Sequence, residues 1–209
     1  MNLQPDFFER APLICARELI GCELVWNECA GVIVETEAYS VINDEACHTF
    51  LRPSAREFVA TNRSGIAYVY LNYGMHWLLN VLLKGPEEGF VLIRAVEPTR
   101  GVELMETRRH QSKRIALCSG PAKLCQAFGI SGADHGRDLC SEVTVGFRPS
   151  VASVEIVEDV RIGISKAANL PWRFLLKDSP FVSVPPLRSK APRRNLQPGV
   201  TGKRKSQSG

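Results

Sequence analysis

The stretch VIVETEAYS, residues 32–40, sets two carboxylates two positions apart at the end of an apolar run. Val32, Ile33 and Val34 read as a buried strand entered from Gly31. Side chains along a strand point alternately to opposite faces, so Glu35, Glu37 and Tyr39 share one face and Val34, Thr36 and Ala38 the other. Acids in such a place cost free energy unless they are solvated, paired or in use. More polar and aromatic types follow. ETEAYSVINDEACH brings Tyr39 and His48 close to Glu37, YVYLNYGMHWLLN adds Tyr70, Tyr73, Met75 and Asn80, and VLIRAVEP adds Arg94. An acid, several aromatics, an Asn and an Arg suit a pocket for a flat, hydrogen-bonding ligand. A nucleobase taken out of a duplex is such a ligand, held by stacking and read on its edges. The plain alternative is a half-buried sheet with polar caps, in which Tyr68, Tyr70 and Met75 are core or sheet-face residues.

The elements that must position these residues follow from periodicity. DFFERAPLICARELIG has an amphipathic helical pattern with a Gly stop. CELVW and AGVIVETEAY read as a strand pair turning at Asn27, IAYVYLNY and HWLLNVLLK as two strands turned by Gly74, and EGFVLIRAVEP as another, stopped by Pro98. TRGVELMETRRHQ and GPAKLCQAFGI read as helices, the second with Pro121 in its first turn and Gly129 at its end. EIVEDVRIGIS and WRFLLKDSPFVSV supply further strands.

Composition narrows the classes. With 209 residues and a 44% hydrophobic fraction, one domain of ordinary size is expected. No apolar run is long enough for a membrane-spanning helix, and MNLQPDFFER has no signal-peptide pattern, so a protein that is neither membrane-bound nor secreted is expected. Cysteines 15, 22, 29, 47, 118, 125 and 140 form no CxxC and are odd in number, which favours free thiols in a reducing compartment over disulfides or a metal site. Dinucleotide-binding, P-loop, zincin and serine-hydrolase motifs are absent, as are helix-turn-helix and zinc-finger patterns. The net charge of +4 is uneven: residues 188–209 hold seven Lys and Arg and no acid, leaving residues 1–187 at −3. The expected division is therefore a domain over 1–187 and a basic, disordered tail over 188–209.

At these motifs the chain resembles the alkyladenine (3-methyladenine) DNA glycosylase family, the mammalian-type monofunctional purine DNA glycosylases. FFERAPLICARELIGCELV, VIVETEAYSVINDEACH, YVYLNYGMHWLLNV, FVLIRAVEP, LCSGPAKLCQAFGI, GRDL, RIGISKA and WRFLLKDSPFVSV match in family order over about residues 7–184. The resemblance implies a mixed α/β (α+β) single domain, with a curved, mainly antiparallel β-sheet surrounded by helices. It implies excision of alkylated or deaminated purines (3-methyladenine, 7-methylguanine, hypoxanthine, ethenoadenine) from double-stranded DNA, leaving an abasic site, with no metal and no cofactor. Glu37 takes the role of general base activating a water, and Arg94 helps hold that water and the adjacent phosphate. Glu35 is read as structural. Tyr39, His48 and Tyr70 match the aromatics that sandwich the extruded base, and Asn80 the residue that crowds the exocyclic amino group of guanine. Tyr73, with Met75 beside it, matches the wedge that fills the gap in the duplex.

Arg52, Arg56, Ser119 and Lys123 are candidates for the DNA backbone, with Arg63 adding to the same basic patch. A monomer is expected, in the cytoplasm or nucleoid of a bacterium or in a nucleus. The rival readings are a non-catalytic nucleic-acid binding module and a nucleoside hydrolase. The chain departs from the family between His48 and Tyr68. LRPSAREFVATNRSG stands there, with Leu51 at a common Gly position and Ala60 and Thr61 in place of a Met-Phe pair, so the DNA contacts of residues 49–67 are not carried over.

Overall fold

The computed structural model describes residues 1–187; the predicted basic tail lies outside the described residues. Two short helices open the chain, α1 (Pro5–Phe8) and α2 (Pro12–Glu18). Strands β1 (Glu23–Trp26) and β2 (Cys29–Ser40) follow, then α3 (His48–Leu51), α4 (Pro53–Thr61), β3 (Ala67–Asn72), β4 (His76–Lys84) and β5 (Glu88–Arg100). Three helices, α5 (Val102–Arg109), α6 (Arg114–Leu117) and α7 (Pro121–Phe128), lead to β6 (Val145–Arg148), β7 (Ile156–Asp159) and β8 (Arg173–Leu176). All strand pairs are antiparallel in one sheet of order β3-β4-β5-β2-β1-β6, with β8 joining β2 and β7 joining β8. The expected mixed α/β domain with a mainly antiparallel sheet is what the chain forms.

β2 organises the sheet. One edge runs along β5, and the other is shared, with Cys29–Val32 against β1 and Glu35–Glu37 against β8. A twelve-residue strand with partners on both edges must bend, and a double irregularity in its pairing with β5 supplies the bend. Ile33 pairs with Val96 and Glu35 with Ala95, so Val34 is an extra residue on β2. Thr36 then pairs with Ile93, so Arg94 is an extra residue on β5.

Both faces of the sheet are covered, and the period-two pattern sorts them. Val69, Leu79, Val81, Leu83, Val91 and Ile93 face the large core, where Phe8, Leu19, Trp26, Phe128 and Phe147 lie beneath the helices. Tyr68, Leu82 and Phe90 face the other way and pack on α3–α4 through Ala55, Phe58 and Val59. All seven cysteines are free and buried, and burial raises their thiol pKa values, Cys15 and Cys140 to about 11 and Cys118 to about 12. Among the described residues no helix is long and apolar enough to cross a membrane.

Three local expectations are revised. The first helical pattern is two helices, because Pro12 cannot continue a helix from α1 and instead starts α2. Pro98 does not end β5, which continues to Arg100 past a register shift at Gly31. The segment after His48, read without secondary structure, contains α3 and α4, with Pro53 opening α4.

Where β5 enters the sheet, Gly89 lies so close to β2 that an added Cβ would stand 2.2 Å from the Tyr39 carbonyl oxygen and 2.7 Å from Pro12 Cγ. A backbone atom cannot yield as a side chain does, so Gly89→Ala is expected to cost about 1–3 kcal/mol. Urea unfolding checks this: the midpoint falls with an unchanged slope if the sheet is strained but intact.

Candidate active site

Four strands present one continuous polar and aromatic patch on the face away from the large core. Glu37 pairs with Leu92, Leu92 with Asn80, and Asn80 with Tyr68, a row crossing β2, β5, β4 and β3. Two residues along each strand stand Tyr39, Phe90, Leu78 and Tyr70 on the same face. Over this patch lies a cavity of about 310 Å³, lined by Tyr39, His48, Tyr68, Tyr70, Tyr73 and Asn80 among others, with Arg94, Pro121 and Ile162–Ile164 closing its remaining sides. That volume is at the lower end of small-ligand sites, about 300–1,000 Å³.

Glu37 is fully buried at the base of this arrangement, held by three groups that line the cavity. Its Oε2 accepts the Tyr39 hydroxyl at 2.8 Å and lies 3.3 Å from Arg94 Nη1, and its Oε1 accepts the Ile162 amide at 2.7 Å. A carboxylate offers about four acceptor positions, so one remains, on Oε1. Glu35, also fully buried, is consumed by structure. Its oxygens take Arg94 Nε at 2.9 Å, Arg173 Nε at 2.8 Å, and the Ser183 amide and hydroxyl at 2.6 and 2.8 Å. Burial alone raises the Glu35 pKa, but Arg94, Arg173 and Ser183 outweigh it and hold the group below its ordinary value. Arg94 is only 7% exposed; burial lowers its pKa, and Glu37 and Glu35 more than reverse that. The bulge explains its aim: as the extra residue of β5, Arg94 reaches both carboxylates at once.

The aromatic walls are neutral. The His48 ring lies 4.1 Å from the Tyr70 centroid at 64° and 3.3 Å from the Tyr68 hydroxyl through Nδ1. Burial first, and Arg52 second, lower its pKa to about 4, leaving the ring uncharged at neutral pH. Burial likewise raises the pKa values of Tyr39 and Tyr70, with Glu37 adding to the rise at Tyr39. Asn80 is buried and spends its Nδ2 on the Tyr68 carbonyl at 3.1 Å.

Residues predicted to touch a duplex lie outside the cavity or at its rim. Tyr73 is 81% exposed and Met75 68% exposed, both in the turn between β3 and β4. Tyr73 has φ 49° and Gly74 φ 71°, consecutive left-handed residues of the kind a tight hairpin requires. Arg52 is exposed and stands 5.7 Å from the Tyr70 centroid; Arg56 is exposed and donates to the Thr49 carbonyl at 2.7 Å. Lys123 is exposed in the first turn of α7, beside cavity-lining Pro121. Ser119 is half-buried, bridged by backbone to Ala95, and Arg63 is engaged by Asp138.

Sequence reasoning did not single out Ile162, Arg161, Asp44, Arg173 or Ser183. Arg161 and Asp44, both buried, form a bidentate pair at 2.6 and 2.8 Å. The signal within reach was the charge itself: an Arg beside the apolar IGI of RIGISKA and an Asp in SVINDEACH are types that burial tolerates only in pairs. Among the described residues no group of His, Cys, Asp and Glu could hold a metal ion.

Residues 6–180 match the family model described as methylpurine-DNA glycosylase. Three relatives named "Putative 3-methyladenine DNA glycosylase" align over most of their length. One from Rhodopseudomonas palustris is 46% identical, covering 86% of each chain. One from Nitrobacter winogradskyi is 42% identical, again over 86% of each. One from Nitrosospira multiformis is 42% identical over 87% of this chain and 94% of its own.

The neutral His48 yields a pH prediction. An unfolded-state histidine binds its proton near pH 6.5, whereas the folded site binds it near 4. As pH falls below 6.5 the unfolded state gains a proton that the folded state refuses, so stability drops until about pH 4. Urea midpoints between pH 7 and 4 are expected to fall more steeply for the native protein than for His48→Gln, and a ¹⁵N titration of His48 is expected to show the neutral ring at pH 5.5.

Proposed function

Because the chain belongs to the methylpurine-DNA glycosylase family, and is therefore a DNA glycosylase, a hydrolase of N-glycosyl bonds in DNA repair, we propose that Glu37 is its general base and that the aromatic cavity receives a damaged purine flipped from duplex DNA. The observation that carries this reading is the Glu37 carboxylate, buried beneath an aromatic cavity and held on three sides by Tyr39, Arg94 and Ile162. With one acceptor position on Oε1 left for a water, Glu37 takes the proton as that water attacks C1′ of the flipped nucleotide and the N-glycosyl bond breaks. Glu35, Glu37 and Asp159 against Arg94 and Arg173 leave one formal negative charge below the cavity, the sign that favours an oxocarbenium-like sugar.

Substrate class follows from the walls. Alkylated purines such as 3-methyladenine and 7-methylguanine carry positive charge, and stacking between neutral aromatics favours them by about 1 kcal/mol through cation–π attraction. A protonated His48 would oppose this. Hypoxanthine and ethenoadenine, which are neutral, depend on stacking and edge contacts near Asn80. Tyr73 lines the cavity and stands out into solvent, with Met75 exposed two residues on, which suits a wedge that fills the space left in a duplex and that a free nucleoside does not need. Arg52, Arg56 and Lys123 are exposed and suit phosphate contacts, with the protein acting as a monomer where the DNA is held, in cytoplasm, nucleoid or nucleus.

Two measurements test the reading. Glu37→Gln is expected to keep affinity for a lesion duplex within about tenfold, roughly 1.4 kcal/mol. Its single-turnover excision should fall at least about a hundredfold; undiminished excision would remove Glu37 as the base. Tyr73→Ser is expected to slow excision much more when the lesion is paired than when it sits in a bulge, since only the paired lesion must be unstacked. Equal losses on both duplexes would count against the wedge.

A further inference from the structure

The loop between β2 and α3 and the segment after β7 come from distant parts of the chain, and each forms a wall of the cavity. Asp44 belongs to the first. Its carboxylate accepts the Ser40 and Ala46 amides at 3.2 and 3.1 Å, and its carbonyl accepts the Cys47 amide at 2.9 Å, so it shapes the turn that delivers His48. Arg161 belongs to the second, directly before Ile162, whose amide meets Glu37. Both are buried, and they bind each other through two parallel bonds. Arg161 also donates to the Ala38 carbonyl at 2.9 Å, on the strand residue between Glu37 and Tyr39. Its guanidinium lies between two rings, 4.6 Å from the Tyr39 centroid and 5.0 Å from that of Trp172, while its Nε is buried without a hydrogen-bond partner.

The cost of burying that Nε and two charges marks a site where geometry outweighs stability, since a buried ion pair contributes little or nothing net. What the pair fixes is specific. It clamps the backbone immediately before Ile162 to the strand that carries Glu37. We propose that Arg161 and Asp44 are positioning residues for the excision reaction: they hold the Ile162 amide on Glu37 Oε1, and thereby keep the carboxylate aimed with its remaining acceptor position toward the attacking water. This rests on Glu37 being the general base.

The groups that face Glu37 are few: Tyr39 on β2, Tyr70 on β3, Arg94 on β5 and the Ile162 amide after β7, with Arg161 beyond the Tyr39 ring and Glu35 sharing Arg94. Among these the Ile162 amide follows Arg161 directly in the chain, and the Tyr39 ring carries the Arg161 guanidinium on its face. Loss of an amide donor to a carboxylate favours its protonated form. Loosening the clamp therefore moves the acidic limb of the rate profile to higher pH and lowers the rate more than it weakens lesion binding.

The test is single-turnover excision of 7-methylguanine from a duplex, from pH 4.5 to 8.5, for the native protein, Asp44→Asn, Glu37→Gln and the double variant. This leaving group is already cationic, so the acidic limb reports the base. Asp44→Asn is expected to bind the lesion duplex within about threefold of the native protein, to excise tenfold to a hundredfold more slowly at pH 7, and to shift the acidic limb upward by about one unit. Added to Glu37→Gln it should cause no further loss, because it acts through the same carboxylate. An equal loss on both backgrounds, or an unmoved limb, overturns the proposal. Normal excision by Glu37→Gln instead overturns the general-base reading on which it stands. If Asp44→Asn does not fold, as judged by its near-UV spectrum, Arg161→Lys takes its place: it keeps the charge but loses the planar fork that two bonds and two rings require. Arg161→Lys with native rate and native limb also overturns the proposal.

Discussion

Two carboxylates on one face of one strand, both shut away from solvent, are the condition that the rest of this structure must satisfy. Glu35 and Glu37 would repel each other in such a place. Guanidinium groups from β5 and β8 prevent this, and the sheet is arranged to deliver them. β2 takes β5 on one edge and β8 on the other at the level of the acids. The double bulge turns Arg94 inward, and the chain after β8 returns to place Ser183 on Glu35. Glu35 holds four structural donors, whereas Glu37 is held by three groups that line the cavity and keeps an acceptor position on Oε1. Two identical residue types two positions apart thus acquire different work from their neighbours alone.

The part of this legible in the sequence is the part governed by period. Alternation in ETEAY, YVY and HWLLN put Glu37, Tyr39, Tyr68, Tyr70, Leu78 and Asn80 on shared faces, because strand geometry leaves no other choice. The family resemblance then attached roles to residues the alternation had grouped. Register has no such signature. That Arg94 is an extra residue, aimed inward instead of lying at a strand-end surface, depends on how β2 and β5 pair over the length of a bulge. The Arg161–Asp44 bond joins residues 117 positions apart, and nothing local to either announces the other. α4 was legible and missed: Ala55, Phe58 and Val59 have helical spacing behind Pro53, but the departure from the family pattern drew the reading toward a loop.

The cavity divides its electrostatics by depth. Beneath it lie charged and paired groups, its walls are neutral and aromatic, and exposed Tyr73 stands at its edge. The neutral state of His48 matters here, since it is the one wall residue able to take a charge near physiological pH, and burial prevents it.

The seven buried thiols have a consequence of another kind. Electrophiles that methylate purine nitrogens also attack sulfur, and they react with the thiolate far faster than with the thiol. A protein whose substrate is made by such agents works amid them. Here every cysteine is enclosed by the fold and has its ionisation suppressed, from Cys15 on the buried face of α2 to Cys140 beyond α7. The folded chain therefore offers an alkylating agent no ready nucleophile of this type.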